Sequence, residues 1–359
     1  HHPFESFDTV LDLLREAVLD PQVLAIKQTV YRAGANSELI GLLREAVRRG
    51  KEVTVVVELK ARFDEQANIG YSETLENVGA QVVYGVVGLK THAKLMLITR
   101  RESSGLKQYA HLSTGNYNPS TARLYTDWGF MTSDEAITAD VEQIFVHLAS
   151  QNKLPKLNKL LMAPFHLQDA IVSKIQQLEA DAARGKDARL LCKMNSLTDV
   201  RIARSLLLAA KAGVQIDLIV RGACILPVNG SDKEGNIRVR SVIGRFLEHT
   251  RVFYFKSPSI DELWLSSADF MSRNMLRRIE IAWPVEDQNL KNRILEEGLA
   301  VYLRDTENAW QLESDGRYRS LSEGDSLSAK DLNKRIAFDA HRELMTRYGA
   351  NNITKPPAP

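Results

Sequence analysis

Two stretches of this chain run through the same order of elements, and that internal repeat limits the possible folds more than any other feature. In the first, residues 37–50 place apolar side chains at helical spacing, stop at Gly50, and lead into the apolar run Val53 to Leu59. In the second, residues 199–213 do the same, stop at Gly213, and lead into Ile216 to Val220. Helix, glycine stop and buried strand repeat in step. Further on, Lys90-Thr-His-Ala-Lys-Leu-Met-Leu-Ile98 matches Leu247-Glu-His-Thr-Arg-Val-Phe-Tyr-Phe255. Leu112-Ser-Thr-Gly-Asn116 likewise matches Leu265-Ser-Ser-Ala-Asp269.

Strands alternating with helices predict an α/β fold of two duplicated domains, each a mainly parallel or mixed sheet flanked by helices. A length of 359 residues suffices for two separate cores. Prolines and polar residues interrupt the pattern over 151–164, which divides the chain into 1–160 and 161–359. A last helix is predicted over 329–348, followed by a disordered proline-rich tail at 355–359.

The composition, 44% hydrophobic and 26% charged, is that of a globular chain. It has no apolar run long enough for a membrane span and no signal-peptide pattern, so the expected location is the cytoplasm, with peripheral membrane association allowed. Cys192 and Cys224, the two cysteines, read as reduced packing residues and form no zinc-ligand cluster. A net charge of only +2 means that attraction for a polyanion must come from local clusters of cations.

The two histidine motifs carry the chemistry. In His92-Ala-Lys94 the side chains of residues 92 and 94 share a parity where a loop enters a strand, so an imidazole and an ammonium can reach one phosphate together. A neutral imidazole can attack phosphorus while the ammonium neutralises the non-bridging oxygens. A lone His-X-Lys is more often structural. Its repetition as His249-Thr-Arg251, each motif followed by a Ser/Thr-rich loop ending in Asn116 or Asp269, favours chemistry. His92, with the fuller motif, is assigned as nucleophile, and His249 as the general acid and base.

Paired motifs of this kind resemble the phospholipase D superfamily, except that no aspartate follows Lys94 through residue 100 and the second motif has arginine for lysine. A narrower resemblance covers nearly the whole chain. Tyr31-Arg32, Val57 to Glu65, Gly88 to Lys94, Ser113 to Asn118, Thr121 to Asp127, Val220 to Gly222, Gly244 to His249 and Ser266 to Asn274 are similar, in order, to segments of the histidine-dependent bacterial polyphosphate kinases. His1-His2-Pro3 extends the match and reads as native sequence.

The resemblance implies duplicated phospholipase D-like domains. It also implies reversible transfer of the terminal phosphate of ATP to inorganic polyphosphate through a phosphohistidine on His92, with Mg2+. Nucleotide contacts fall on Tyr125, Arg221 and His249, and Tyr125 could instead pack against Trp128. The magnesium-associated positions fall on Arg32 and Arg62; because arginine cannot ligate a cation, these are read as phosphate ligands beside the metal. Family members carry two further domains ahead of this region, one of which contributes to the nucleotide pocket, and full-length members are expected to be homo-oligomers. No nucleic-acid partner is expected.

Cations near the motifs suit a chain of phosphates: Lys60, Arg62, Lys90, Lys94 and Arg123 in the first half. The second half offers Arg221, Arg238, Arg240, Arg245, Arg251, Arg273, Arg277 and Arg278. For any one of them, a surface ion pair with Asp64, Glu65, Glu248 or Glu280 is an equal expectation. No Walker-type loop is present. Two other readings compete with the transferase: a phospholipase D-like phosphodiesterase, and a polyphosphate-binding fragment that is inactive without the leading domains.

Overall fold

The structure, a computed structural model, describes residues 1–31, 37–58, 65–150, 152, 156–228, 235–322 and 337–349. In the first half the strands are β1 (Val23–Val30), β2 (Glu52–Val57), β3 (Gln81–Val83), β4 (Lys90–Thr91), β5 (Leu95–Glu102), β6 (Gly105–Ser113), β7 (Tyr125–Thr126) and β8 (Gly129–Thr132). After β9 (Leu161–Ala163) come β10 (Arg189–Met194), β11 (Gln215–Val220), β12 (Ile237–Val242), β13 (Leu247–Glu248), β14 (Val252–Ser257), β15 (Ile260–Ser266), β16 (Arg278–Pro284), β17 (Ala309–Leu312) and β18 (Tyr318–Ser320).

One sheet runs β3-β2-β1-β5-β6-β8, and the second contains the same path as β12-β11-β10-β14-β15-β16, with β17 and β18 added at one edge and β9 and β4 joined to β16. The repeat is therefore one of topology as well as of motifs. Pairing is mixed. β1, β2 and β3 are parallel, as are β10, β11 and β12; a helix carries the chain back from β1 to β2, from β2 to β3 and from β10 to β11. The other flank is antiparallel in both halves, since two residues, Ser103-Ser104 or Pro258-Ser259, close each β5/β6 and β14/β15 hairpin.

Alternate residues of each hairpin serve two cores. Leu95, Leu97 and Leu112 enter a cluster shared by both halves, while Met96 and Ile98 pack under helices Asp8–Leu19 and Glu38–Arg48 in a first-half core. Leu263 and Leu265 join the shared cluster, while Phe253, Phe255 and Trp264 pack with helices Leu167–Ala182 and Val200–Lys211. The two sheets thus face one another across common apolar packing, which fixes their relative position.

The connection between the halves is itself tied down. Buried Asp140, on helix Glu135–Ser150, accepts the backbone N–H groups of Asn158, Lys159 and Leu160 at 2.6 to 2.9 Å. Cys192 is buried, Cys224 is half-buried, and both are free thiols. No helix among the described residues is long and apolar enough to cross a membrane.

The last helix is shorter than predicted. It runs Ala340–Tyr348, because Asp339 caps it by accepting the Arg342 N–H, and residues 337–339 are not helical. The remainder of the predicted helix, and the tail at 355–359, lie outside the described residues.

Candidate active site

The motif strand of each half pairs with the other half. β4 lies parallel to β16, with Lys90 opposite Arg278 and Thr91 opposite Ile279. β13 lies parallel to β7, with Leu247 opposite Tyr125 and Glu248 opposite Thr126. Continuing each register by one residue sets His92 beside Glu280 and His249 beside Asp127. The side chains meet accordingly: His92 Nδ1 is 2.9 Å from Glu280 Oε2, and His249 Nδ1 is 2.9 Å from Asp127 Oδ2. Each imidazole is oriented by a carboxylate from the opposite half.

The Ser/Thr loops complete this crossed pattern. Thr114 Oγ1 donates to Asp127 Oδ1 at 2.7 Å, and Ser267 Oγ donates to Glu280. Gly115 has a steric reason: a Cβ there would lie 2.2 Å from Asp127 Oδ2, so no larger residue lets the loop approach that carboxylate. His249 and Lys94 both act electrostatically on His92, and Lys94 acts on His249, so both motifs belong to one site.

Burial controls the charges. His92 is driven well below the usual imidazole range by burial, then by Lys94, Arg278 and Arg251, so its ring is neutral near pH 7. With Nδ1 engaged by Glu280, Nε2 is the nitrogen left for attack. Lys94 falls to about 7, again chiefly through burial, which Glu280 only partly offsets. Burial also raises Glu280, against the pull of Lys94 and Ser267. Burial alone would raise Asp127 too, but His249 and Thr114 hold it below the ordinary carboxylate range. His249 is lowered by burial despite Asp127, and its Nε2 lies 3.2 Å from an Arg251 Nη1 donor, as suits a neutral ring.

The two cations differ in their partners. Lys94 Nζ donates to the His92 carbonyl at 2.5 Å and has no carboxylate within salt-bridge distance among the described residues. Arg251 makes a two-pronged contact with Asp269, Nε to Oδ1 at 3.1 Å and Nη2 to Oδ2 at 3.0 Å.

Tyr125 and Arg221 reach the same place. The Tyr125 ring is 5.4 Å from that of His249, whereas Trp128 stacks on His1 at 3.9 Å, so Tyr125 does not pack on Trp128. Arg221 donates through Nε to the Glu248 carbonyl at 2.9 Å and through Nη2 to Asn195 at 2.7 Å, with burial lowering its pKa. Tyr31 meets the His92 ring edge-on at 5.0 Å.

Several expected phosphate ligands fall elsewhere. Arg238, opposite Asp217 near the start of β11, pairs with it, and Arg240, opposite Ile219, bonds to the Leu303 carbonyl. Glu248 and Glu280 are not surface partners; both are buried, at 2% and 0% exposure. Arg32, Arg62 and Lys60 lie outside the described residues. Among the described residues, no group of three His, Cys, Asp or Glu side chains is placed to hold a metal ion. Among the described residues the site's carboxylates are taken by His92, His249 and Arg251, and the remaining donors are N–H groups that suit anions rather than a protein-held Mg2+.

Sequence reasoning did not find Asp127, Glu280 or Asn195 as site residues. A signal existed for the first two: Tyr-Thr-Asp127 and Arg-Ile-Glu280 hold equivalent places in the two halves.

Comparison with known proteins agrees with the geometry. Residues 1–154 match the family model Polyphosphate kinase C-terminal domain 1, and residues 160–331 match Polyphosphate kinase C-terminal domain 2. The chain is 51% identical over 321 residues to a polyphosphate kinase of Xylella fastidiosa, covering 89% of this chain and 46% of that protein. With a polyphosphate kinase of Paraburkholderia phytofirmans it is 52% identical over 330 residues, 91% of this chain and 48% of the relative. It therefore spans about half the length of the curated relatives it matches. The crystal structure of polyphosphate kinase from Porphyromonas gingivalis superposes with a TM-score of 0.85 at 36% identity, over 98% of this chain and 52% of that one. A phosphatidylserine synthase from Haemophilus influenzae, at 12% identity and TM-score 0.55 over 82% of this chain and 84% of that one, shares the fold. The fold is the duplicated phospholipase D-like one. Crossed histidine and carboxylate pairs, topology and extended sequence identity lead to one assignment: this chain belongs to the polyphosphate kinase family.

Proposed function

We propose that this chain is a polyphosphate kinase core that transfers the terminal phosphate of ATP to inorganic polyphosphate, reversibly, through a phosphohistidine on His92. The observation that carries the proposal is the pair of imidazoles, each held at Nδ1 by a carboxylate of the other half, beside the buried cations Lys94 and Arg251. We take the division between halves to lie near residue 160; the break between the two matched family models supports it.

The steps follow from the atoms present. His92 Nε2 attacks the γ-phosphorus, the bond from phosphorus to the bridging oxygen breaks, and ADP departs. The phosphorylated ring keeps its Nδ1 proton against Glu280, whose raised pKa suits it to share that proton. Lys94 and Arg251 neutralise the equatorial oxygens. The terminal oxygen of polyphosphate then attacks the same phosphorus, and the N–P bond breaks. His249 takes a proton from a protonated acceptor and returns it to the leaving oxygen in the reverse direction, with Asp127 fixing its ring. Tyr125 and Arg221 lie where the nucleotide would sit beside His249. Magnesium fits as a companion of the phosphate substrate; Arg32 and Arg62 are proposed as phosphate ligands beside it.

The test follows label from γ-phosphate ATP into protein and then into polyphosphate, in the 359-residue chain and in His92→Ala. Acid-labile label on the first protein only, chased into polyphosphate, is the expected result. Equal labelling of His92→Ala would overturn the proposal.

A further inference from the structure

His341 stands on the last described helix, Ala340–Tyr348, buried to 1% exposure and far in sequence from either motif. Its ring bridges two groups on the segment that carries His249. Nε2 bonds to Glu248 Oε1, and Nδ1 accepts the Phe246 N–H in a long contact of 3.4 Å. Only the neutral ring protonated at Nε2 can do both. The loop is shaped for it: a Cβ on Gly244 would lie 2.7 Å from His341 Nδ1.

Glu248 extends the contact toward the chemistry. Its Oε2 accepts from Thr126 Oγ1 at 2.9 Å and pairs with Lys193, and Thr126 Oγ1 accepts the His249 N–H at 3.2 Å. Thr126 is the neighbour of Asp127, whose carboxylate holds the His249 ring. Lys193, Glu248 and His341 are all at most 2% exposed, so these bonds operate in a poorly screened interior. In the first half Thr29 and Thr91 occupy the places of Lys193 and Glu248, so no ion pair stands at those two positions.

We propose that His341 is a positioning residue for His249, locking residues 246–248 and the Glu248–Thr126 contact so that the His249 ring keeps its place on Asp127. The inference rests on the reading of His249 as the proton-handling histidine. It assigns the C-terminal helix a part in the reaction without contact with substrate.

The test uses the 359-residue chain with 15N-labelled histidine, and compares His341→Phe, which keeps the ring volume, with His341→Gln, whose amide again offers one donor and one acceptor. In His341→Phe the His249 ring nitrogen resonances are expected to move while those of His92 stay, and His341→Gln is expected to restore them. Turnover in His341→Phe is expected to fall about tenfold, part of the acid–base contribution, with the nucleotide KM held within about twofold. The same change made in His249→Ala is expected to cost nothing further. Unmoved His249 resonances overturn the proposal whatever the chemistry is, as does a further tenfold loss in His249→Ala. Full turnover in His249→Ala would instead overturn the proton-handling role, leaving the resonances to decide the positioning.

Discussion

The two halves share a topology but neutralise their charges differently. In the second half the motif cation and the carboxylate before His249 each have a buried counter-charge: Arg251 with Asp269, and Glu248 with Lys193. In the first half threonines stand at the places of Lys193 and Glu248, Asn116 stands at that of Asp269, and Lys94 is buried without a salt-bridged carboxylate among the described residues. A buried cation without a close counter-charge is unstable in its charged form, and burial accordingly brings Lys94 down to about 7. An arriving phosphate supplies the missing counter-charge. The half holding His92 thus leaves a cation for substrate to neutralise, whereas the motif cation of the half holding His249 already has its carboxylate.

The largest effect that would break this comparison comes from the histidines. His92→Ala is expected to abolish protein labelling and reduce turnover by about 10⁴-fold or more, whereas His249→Ala should slow it by about 10²–10⁴-fold and still accept label. Rapid-quench labelling measures both, and label found on His249 would reverse the roles of the halves. Next come the crossed carboxylates. Asp127→Asn and Glu280→Gln should each cost on the order of 10³-fold in turnover by releasing the ring tautomer, and nitrogen NMR should show disturbance only of His249 in the first and His92 in the second.

Making the halves alike sharpens the contrast at smaller magnitude. Asn116→Asp would give Lys94 the carboxylate that Arg251 already has, and polyphosphate affinity by calorimetry is expected to weaken about tenfold, one unit pair's worth in a partly screened site. An unchanged Kd would mean that Lys94 does not meet the anion. The smallest effect is a pH dependence. Because Lys94 titrates near 7 when free and is held protonated by a bound anion, affinity is full below that pH and declines above it, by about threefold between pH 6.5 and 7.5. Lys94→Arg, charged throughout, should flatten the slope.

Much of this was legible in sequence. The repeat, the parallel flanks and both histidine motifs could be read because buried strands after glycine stops leave apolar runs, and because His-X-Lys and His-X-Arg fall in matching places. The antiparallel flank was less visible: Ser103-Ser104 and Pro258-Ser259 lack the Asn-Gly type of hairpin signal. Glu280 and Asp127 went unread as site residues because their role depends on which strand of the opposite half lies beside each histidine, a fact of docking rather than of local pattern. Arg238 and Arg240 misled for the converse reason, since their partners, Asp217 and the Leu303 carbonyl, are likewise set by which segments pack beside β12.

The swapped carboxylates carry a consequence for ancestry. A single half, on its own, would hold an imidazole with nothing to orient it, so a one-motif precursor needs a second copy face to face, each lending its acid to the other. Fusing the copies into one chain keeps that exchange and removes the demand that both be identical, which leaves one free to specialise as nucleophile and the other as proton carrier.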